Sequence, residues 1–180
     1  MINKLPKIEL HCHLDGSVRV DTIIDIAKKE NIKLESYEKC DVEKLVQVPN
    51  DCTSLNEYLK RFDLANKVMQ SSENIKRVTF ELLEDAQKEN VKYIEVRFAP
   101  LLHLNGGLSI EEVIQSAIDG INEAEKMYDI KGNIILCCMR TMSEDDAILV
   151  VEEGKKFLNK GVVAIDLAGP EEEGFVKKKK

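Results

Sequence analysis

Short strand-like segments alternate with longer helix-like segments along this chain, and this alternation restricts its fold more than any other feature. Four segments are short, contain β-branched residues and are bounded by Gly, Pro or Asn, as buried strands are: 7–13, 92–98, 133–140 and 162–168. Segments of helical period lie at 20–30, 73–89, 109–127 and 144–159. Capping-box spacing marks two helix starts, Ser109 with Glu112 and Ser143 with Asp146. The order predicts an α/β fold in which parallel strands are joined by right-handed crossovers.

The first crossover, 16–90, is much longer than the others and contains an extra helical stretch at 54–66. An insertion of this size after a first strand is typical of a functional segment or a lid. Four βα units are also half of a (β/α)8 barrel, which usually takes about 250 residues. We therefore expect one domain, 1–180, that corresponds to the first four βα units of a TIM-type barrel: a half-barrel with a helical insertion after strand 1.

The composition excludes several function classes. The net charge is −7 and acidic residues are spread along the helical segments, which argues against nucleic acid or an anionic membrane as partner and favours a small molecule. No stretch approaches the ~20 apolar residues of a membrane span, and the N-terminus has no apolar signal core. The five cysteines lack C-x-x-C spacing, which favours reduced thiols over disulfides or a cysteine zinc site. We expect a cytoplasmic protein.

The run HCHLDG, residues 11–16, ends the first predicted strand. Side chains alternate along a strand, so the rings of His11 and His13 point to one face and could reach a single ion. Zinc binds neutral imidazole nitrogens, and a catalytic zinc site needs about three protein ligands with one position left for water. Packed or surface histidines are the alternative. The position at a strand end, with Asp15 and Gly16 where the ligand loops of a barrel lie, favours metal binding.

The predicted strand KYIEVRF, residues 92–98, has one polar and one apolar face. Tyr93, Glu95 and Arg97 fall on one face and the residues between them are apolar, so in a barrel the charged residues point inward while the apolar face meets the helices. Buried charges need partners. An internal ion-pair network is therefore favoured over a catalytic role for these residues.

Three residues in or after the later strands are open to more than one interpretation. His103 comes after the second strand and is expected to be solvated, as lone loop histidines commonly are. Asp166, near the end of the fourth strand, could bind a metal, cap a helix or pair with a cation. Gly169 comes next, where the lack of a side chain lets a flat ligand approach the backbone N–H, although a simple turn also favours glycine.

Five segments of this sequence, in this order, resemble the N-terminal half of adenosine deaminases. They are PKIELHCHLDG, SLNEYLKRFD, YIEVRFAP, ILCCMR and GVVAIDLAGPE. The resemblance extends from about Pro6 to about Gly174, and its motifs H-x-H-L-D-G and D-L-A-G-x-E are specific. It implies a (β/α)8 barrel of the metal-dependent hydrolase type with one zinc ion at the C-terminal mouth.

The resemblance also implies roles for individual residues, matched motif by motif. His11 and His13 would be zinc ligands, and His13 would border the substrate. Asp15 would bind the ribose side of a purine nucleoside, and the backbone N–H of Gly169 would meet a purine ring nitrogen. The helices around SLNEYLKRFD would gate the pocket.

The sequence departs from the family after its fourth strand. The family's later strands supply a third zinc-binding histidine, a neighbouring glutamate that donates a proton, a further histidine and an aspartate pair. The sequence after AIDLAGPEEEGFV instead stops in KKKK, and His103 is its only other histidine. A truncated or frameshifted product, or an artificial chain end, would account for this. We expect no catalytic acid in these residues, near inactivity of the chain alone, and self-association through open barrel edges.

The function that this resemblance implies is zinc-dependent hydrolytic deamination of adenosine or deoxyadenosine to inosine or deoxyinosine and ammonia. A relative that acts on free adenine would share the H-x-H pattern, but Asp15 is useful as a sugar ligand only if a sugar is present. A non-catalytic half-barrel that serves as a fragment or binding module is a further alternative. A metal-dependent phosphoesterase also begins with H-x-H but requires more histidines and basic phosphate ligands than this sequence contains.

Overall fold

Four parallel strands form one sheet in a computed structural model of the chain, which describes residues 4–170. The strands are β1 (Lys7–His13), β2 (Val91–Phe98), β3 (Lys131–Met139) and β4 (Val162–Ala168). Their spatial order is their chain order, β1-β2-β3-β4, and each neighbouring pair is parallel. A doubly wound sheet reverses its strand order at a switch point, whereas a barrel does not, so the sheet is a segment of a barrel. The predicted half-barrel is confirmed.

Helices join the strands and cover one face of the sheet. They are α1 (Val20–Lys29), α2 (Lys39–Val46), α3 (Leu55–Leu59), α4 (Asp63–Val68), α5 (Ser72–Lys88), α6 (Ile110–Met127) and α7 (Glu144–Lys155), with 3-10 turns at Lys60–Phe62 and Pro100–His103. Both predicted capping boxes are formed. The hydroxyl of Ser109 accepts from the backbone N–H of Glu112, and the Glu112 carboxylate accepts from the backbone N–H of Ser109. Ser143 and Asp146 form the same two bonds at the start of α7. No helix within residues 4–170 is long and apolar enough to cross a membrane.

The core lies between the sheet and the pair α5 and α6. The apolar face of β2 is buried there, with Ile94, Val96 and Phe98 no more than 1% exposed, as its alternation predicts. Helices α5 and α6 approach closely at Gly120, where a Cβ would lie 2.5 Å from the carbonyl oxygen of Lys76. A residue without a side chain is therefore required at this crossing.

Strand β1 contains a bulge that changes which side chains face the inside of the sheet. Glu9 is opposite Ile94 and Cys12 is opposite Val96, so two residues of β1, Leu10 and His11, face a single residue of β2. An extra residue of this kind shifts the alternation of a strand by one. Ile8 and His13 consequently lie opposite Tyr93 and Arg97, which share the inward face.

The lysine-rich end at 177–180, on which the hypothesis of a truncated product rests, lies outside the described residues, as does Glu171 of the D-L-A-G-x-E motif.

Candidate active-site cleft

A cleft of about 590 Å³ opens at the carboxyl ends of the four strands, where the ligands of barrel enzymes bind. Each strand contributes to it, and the inserted helices α3 and α4 form its outer wall. From the strands and their loops come His11, His13, Asp15, Arg97, Phe98, Ala99, Leu102, Cys137, Met139, Thr141, Asp166, Leu167, Ala168, Gly169 and Pro170. From the insertion come Leu55, Tyr58, Leu59, Phe62, Asp63 and Asn66.

The two histidines of the H-x-H run lie side by side in this cleft. Their ring centroids are 5.5 Å apart, so both rings face the same side, as their spacing predicts. Partial burial, together with the charges of His11 and Arg97, lowers the pKa of His13, which keeps the ring neutral as a metal ligand must be. Within residues 4–170 no three His, Cys, Asp or Glu side chains are close enough together to hold a metal ion. The pair alone is short of the about three protein ligands of a catalytic zinc site.

Asp15 lies beside the pair with an acceptor that has no partner. Its side chain is 11% exposed, and Oδ1 is buried without a hydrogen bond from any described residue. His13 Nδ1 is 3.9 Å from this oxygen, which is too far for a hydrogen bond. Burial raises the pKa of Asp15 to about 6. A ligand hydroxyl that donated to Oδ1 would satisfy this carboxylate.

Arg97 is paired inside the sheet, so the predicted internal ion pair is confirmed for this residue, with Asp166 as its partner. Glu95, on the same face, instead accepts a hydrogen bond from the hydroxyl of Tyr93 over 2.8 Å. Arg97 Nη1 donates to Asp166 Oδ2 over 2.8 Å, and Arg97 Nη2 donates to the carbonyl oxygen of Leu10 over 3.2 Å. The thiol of Cys137 also lies 3.8 Å from Asp166 Oδ2. Burial raises the pKa of Cys137 to about 12, so this thiol stays protonated.

Glycines shape the cleft at two points. Gly169 has φ +105°, a backbone conformation that residues with a side chain rarely adopt, so the turn itself requires glycine. At Gly16 a Cβ would lie 3.0 Å from the ring of Phe62, so glycine lets α3 and α4 close over the end of β1. Gly169 and Asp15 border the same cleft although they are far apart in sequence.

His103 contradicts its sequence-based expectation. The ring is completely buried rather than solvated, and its Nδ1 hydrogen-bonds the carbonyl oxygen of Met69 over 3.0 Å. It also contacts Phe98, with ring centroids 5.6 Å apart, and does not border the cleft. A single loop histidine carries no local signal for burial, because the loop is covered by the distant segment that ends α4.

Sequence reasoning did not single out Asp63, Asn66, Cys137, Met139 or Thr141, which the structure places on the cleft. Asp63 and Asn66 lie three residues apart on α4, so they share a helix face. The helical periodicity of residues 54–66 indicates that one face of this segment packs against the protein. It does not indicate which face lies over the cleft, because that depends on tertiary contacts.

A parallel sheet in chain order, with a cleft at its carboxyl edge and a histidine pair at the end of its first strand, defines the first half of a (β/α)8 barrel with a candidate ligand site at its mouth. A sequence profile of the family "Adenosine deaminase" matches residues 6–179. The chain belongs to the adenosine deaminase family.

Relatives and solved structures agree with this assignment. The chain is 64% identical over 172 residues to an adenosine deaminase of Clostridium botulinum (strain 657 / Type Ba4), and the match covers 96% of this chain and 52% of the relative. It is 63% identical over 173 residues to an adenosine deaminase of Clostridium perfringens (strain 13 / Type A), with coverages of 96% and 52%. The chain thus spans about half the length of these relatives.

Among solved structures, ADAL of Arabidopsis complexed with GMP matches with a TM-score of 0.78 and 31% identity, over 93% of this chain and 51% of that chain. An amidohydrolase of Burkholderia ambifaria with bound Zn matches with a TM-score of 0.82 and 23% identity, over 96% of this chain and 46% of that chain. At 23% identity, the similarity to the Burkholderia amidohydrolase shows a shared fold and nothing more.

Proposed function

We propose that this chain forms the N-terminal half of a zinc-dependent adenosine deaminase site, which hydrolyses adenosine or deoxyadenosine to inosine or deoxyinosine and ammonia. The observation that carries the proposal is the placement of His11, His13, Asp15 and Gly169 around one cleft. Relatives named adenosine deaminase are 64% identical over 96% of this chain, which supports the same reaction.

The donor chemistry of the cleft fits part of a zinc site. His11 and His13 would hold the metal, since both are imidazoles on one side of β1 and the lowered pKa of His13 favours its neutral form. Asp166 forms an ion pair with Arg97, so the proposed zinc ligands do not include it. When bound, zinc lowers the pKa of a water molecule toward about 7 and so supplies hydroxide at neutral pH.

Asp15 and Gly169 would contact the substrate. The unpartnered Oδ1 of Asp15 is suited to accept from a ribose hydroxyl, which would satisfy a buried acceptor. The backbone of Gly169 carries no side chain that would keep a flat purine away from its N–H. Because His13 adjoins His11 on one side and Asp15 on the other, it would border both the metal and the substrate.

The inserted helices would exclude water from the bound nucleoside. Leu55, Tyr58 and Phe62 present apolar surface to the cleft, and Phe62 lies 6.1 Å from the ring of His13 in an edge-on arrangement. Removing water strengthens the electrostatic interactions of a site. A cytoplasmic location remains a prediction from the sequence.

A chimaera tests the proposal. Residues 1–170 of this chain would replace the matching half of the Clostridium botulinum relative, and inosine and ammonia would be measured with adenosine as substrate. We expect turnover comparable with the parent, abolished by His13→Ala and retained by His103→Asn, which changes a histidine outside the cleft. A folded chimaera that does not deaminate adenosine, or one that is unaffected by His13→Ala, would refute the proposed roles.

A further inference from the structure

The bulge in β1 is what allows Leu10 and His11 together to face Glu95, and it therefore decides where His11 points. In a regular strand His11 and His13 would share a face with Glu9, which is opposite the outward residue Ile94. The extra residue moves His13 to the inward face opposite Arg97. The direction of the histidine pair thus depends on a local irregularity that must be held in place.

Side chains bond two of the four polar backbone groups of this bulge. The N–H of His11 donates to Glu9 Oε1 over 2.8 Å, and the carbonyl oxygen of Leu10 accepts from Arg97 Nη2 over 3.2 Å. Bulged residues leave the regular strand ladder, so their N–H and C=O groups need other partners. Glu9 is exposed and belongs to the bulged strand itself, whereas Arg97 reaches the bulge from the neighbouring strand.

Arg97 is itself fixed, which makes it a rigid support. Its side chain is 11% exposed, and its ion pair with Asp166 spans from β2 to β4 across the intervening strand β3. The guanidinium therefore ties β1, β2 and β4 together at the cleft. A planar guanidinium can hold two partners at defined angles, which a lysine ammonium does not do.

We propose that Arg97, held by Asp166, is a positioning residue for the histidine pair. Through the carbonyl group of Leu10 it fixes the bulge that turns the face shared by His11 and His13 into the cleft. It touches neither histidine ring through a hydrogen bond, so it acts through the backbone of β1. The consequence for metal affinity rests on the proposed function, but the consequence for ring geometry does not.

Ring geometry is tested without metal. The chain has three histidines, so imidazole signals in NMR spectra are few. In a regular strand the His11 and His13 rings would still share a face, so an NOE between them does not report on the bulge. The informative NOE in the unaltered chain is that between the ring protons of His13 and Phe62, which face each other in the cleft with centroids 6.1 Å apart. Arg97→Met should remove that NOE while the ring signals of buried His103 stay unchanged. Arg97→Lys, which keeps the charge and most of the stem, gives the same measurement if Arg97→Met does not fold.

Arg19→Met is the matched control. Arg19, at the start of α1, binds Glu84 and Asp85 of α5, so its loss also removes a network of ion pairs, but none of these residues lines the cleft. We expect Arg19→Met to lower the free energy of unfolding and leave the NOE between His13 and Phe62 intact. If the NOE survives in both Arg97 variants, or is lost equally in Arg19→Met, the positioning role is refuted.

Zinc titration of the same samples separates this inference from the proposed function. Loss of a group that orients metal ligands typically lowers affinity about 10- to 100-fold, and we expect a weakening of that size for Arg97→Met relative to Arg19→Met. Zinc that does not shift the His11 and His13 signals of the unaltered chain would count against the proposed metal site. Equal zinc affinity in the unaltered chain and in Arg97→Met would count against the positioning role.

Discussion

His103 and Met69 are joined by a hydrogen bond of 3.0 Å between the imidazole Nδ1 and the backbone carbonyl oxygen, in a place where the ring is completely buried. A carbonyl oxygen only accepts, so Nδ1 carries the proton. Nε2 is buried without a partner among the described residues. The contact ties the loop after β2 to the end of α4, and it holds a neutral histidine in the core.

This burial predicts an acid-sensitive stability. It lowers the pKa of His103 from 6.5 to about 4, so between those values the unfolded chain binds more protons than the folded chain. The contribution of the neutral ring is complete above pH 6.5 and is lost as the pH falls toward 4, up to about 3 kcal/mol. Urea unfolding between pH 4 and 7 should show this slope and His103→Asn should reduce it. Equal slopes in the two proteins would contradict the prediction.

Gly120→Ala should destabilise the fold. The added Cβ would lie 2.5 Å from the Lys76 carbonyl oxygen and 2.8 Å from Thr79 Cβ, so α5 and α6 must separate. Overpacking of this kind typically costs about 1–3 kcal/mol, which urea unfolding would measure. Asp119→Ala, at an exposed position on the same helix, is the control and should change the free energy of unfolding by less than about 0.5 kcal/mol. Equal stability of Gly120→Ala and the unaltered chain would show that the crossing can relax.

Asp15→Asn should distinguish nucleoside from free base in the chimaera with the Clostridium botulinum relative. A hydrogen bond to a charged group is worth about 1.5–3 kcal/mol, so we expect kcat/KM for adenosine to fall by roughly 10- to 100-fold. Any turnover of adenine should be unchanged, because adenine has no sugar. Asp63→Asn changes another carboxylate of the cleft and should have a smaller effect. Parallel losses with adenosine and adenine would exclude a ribose contact for Asp15.

Zinc should bind the 180-residue chain only weakly. The described residues contain no group of three metal-ligating side chains, and His11 and His13 alone fall short of the about three protein ligands of a catalytic site. Metal analysis after dialysis against a mild chelator should find little zinc in the unaltered chain, as in His13→Ala. Retention of one zinc per chain, lost in His13→Ala, would mean that another residue of this chain completes the ligand set.

Self-association is expected in solution. In the described residues β1 and β4 each have a neighbour on one side only, and Ile8 and Ile165 on them are 69% and 43% exposed. Open strand edges with apolar side chains tend to pair with other chains. Sedimentation should therefore show oligomers that Ile8→Lys reduces. Leu45→Lys on α2, which removes a similarly exposed apolar residue away from the edges, should not reduce them.

Local signals account for the parts of the fold that the sequence predicts correctly. The first and last strands, Lys7–His13 and Val162–Ala168, have the predicted bounds, and the helices α6 and α7 begin at their predicted caps. Backbone propensity and capping depend on neighbouring residues, so they can be read without tertiary structure. The end of α7 differs from its prediction, at Lys155 rather than at 159, because the last residues form turns before β4.

Periodicity within short segments was enough to specify the four βα units, the parallel sheet and the histidine pair on one side of β1. Which side that is depends on tertiary contacts. A bulge opposite Glu95, held by Arg97, turns the pair inward, and Asp166 on β4 holds Arg97. Tertiary contacts likewise bury His103 under a segment distant in sequence. These features arise from contacts between strands and loops that are far apart in the chain, and no local pattern encodes them.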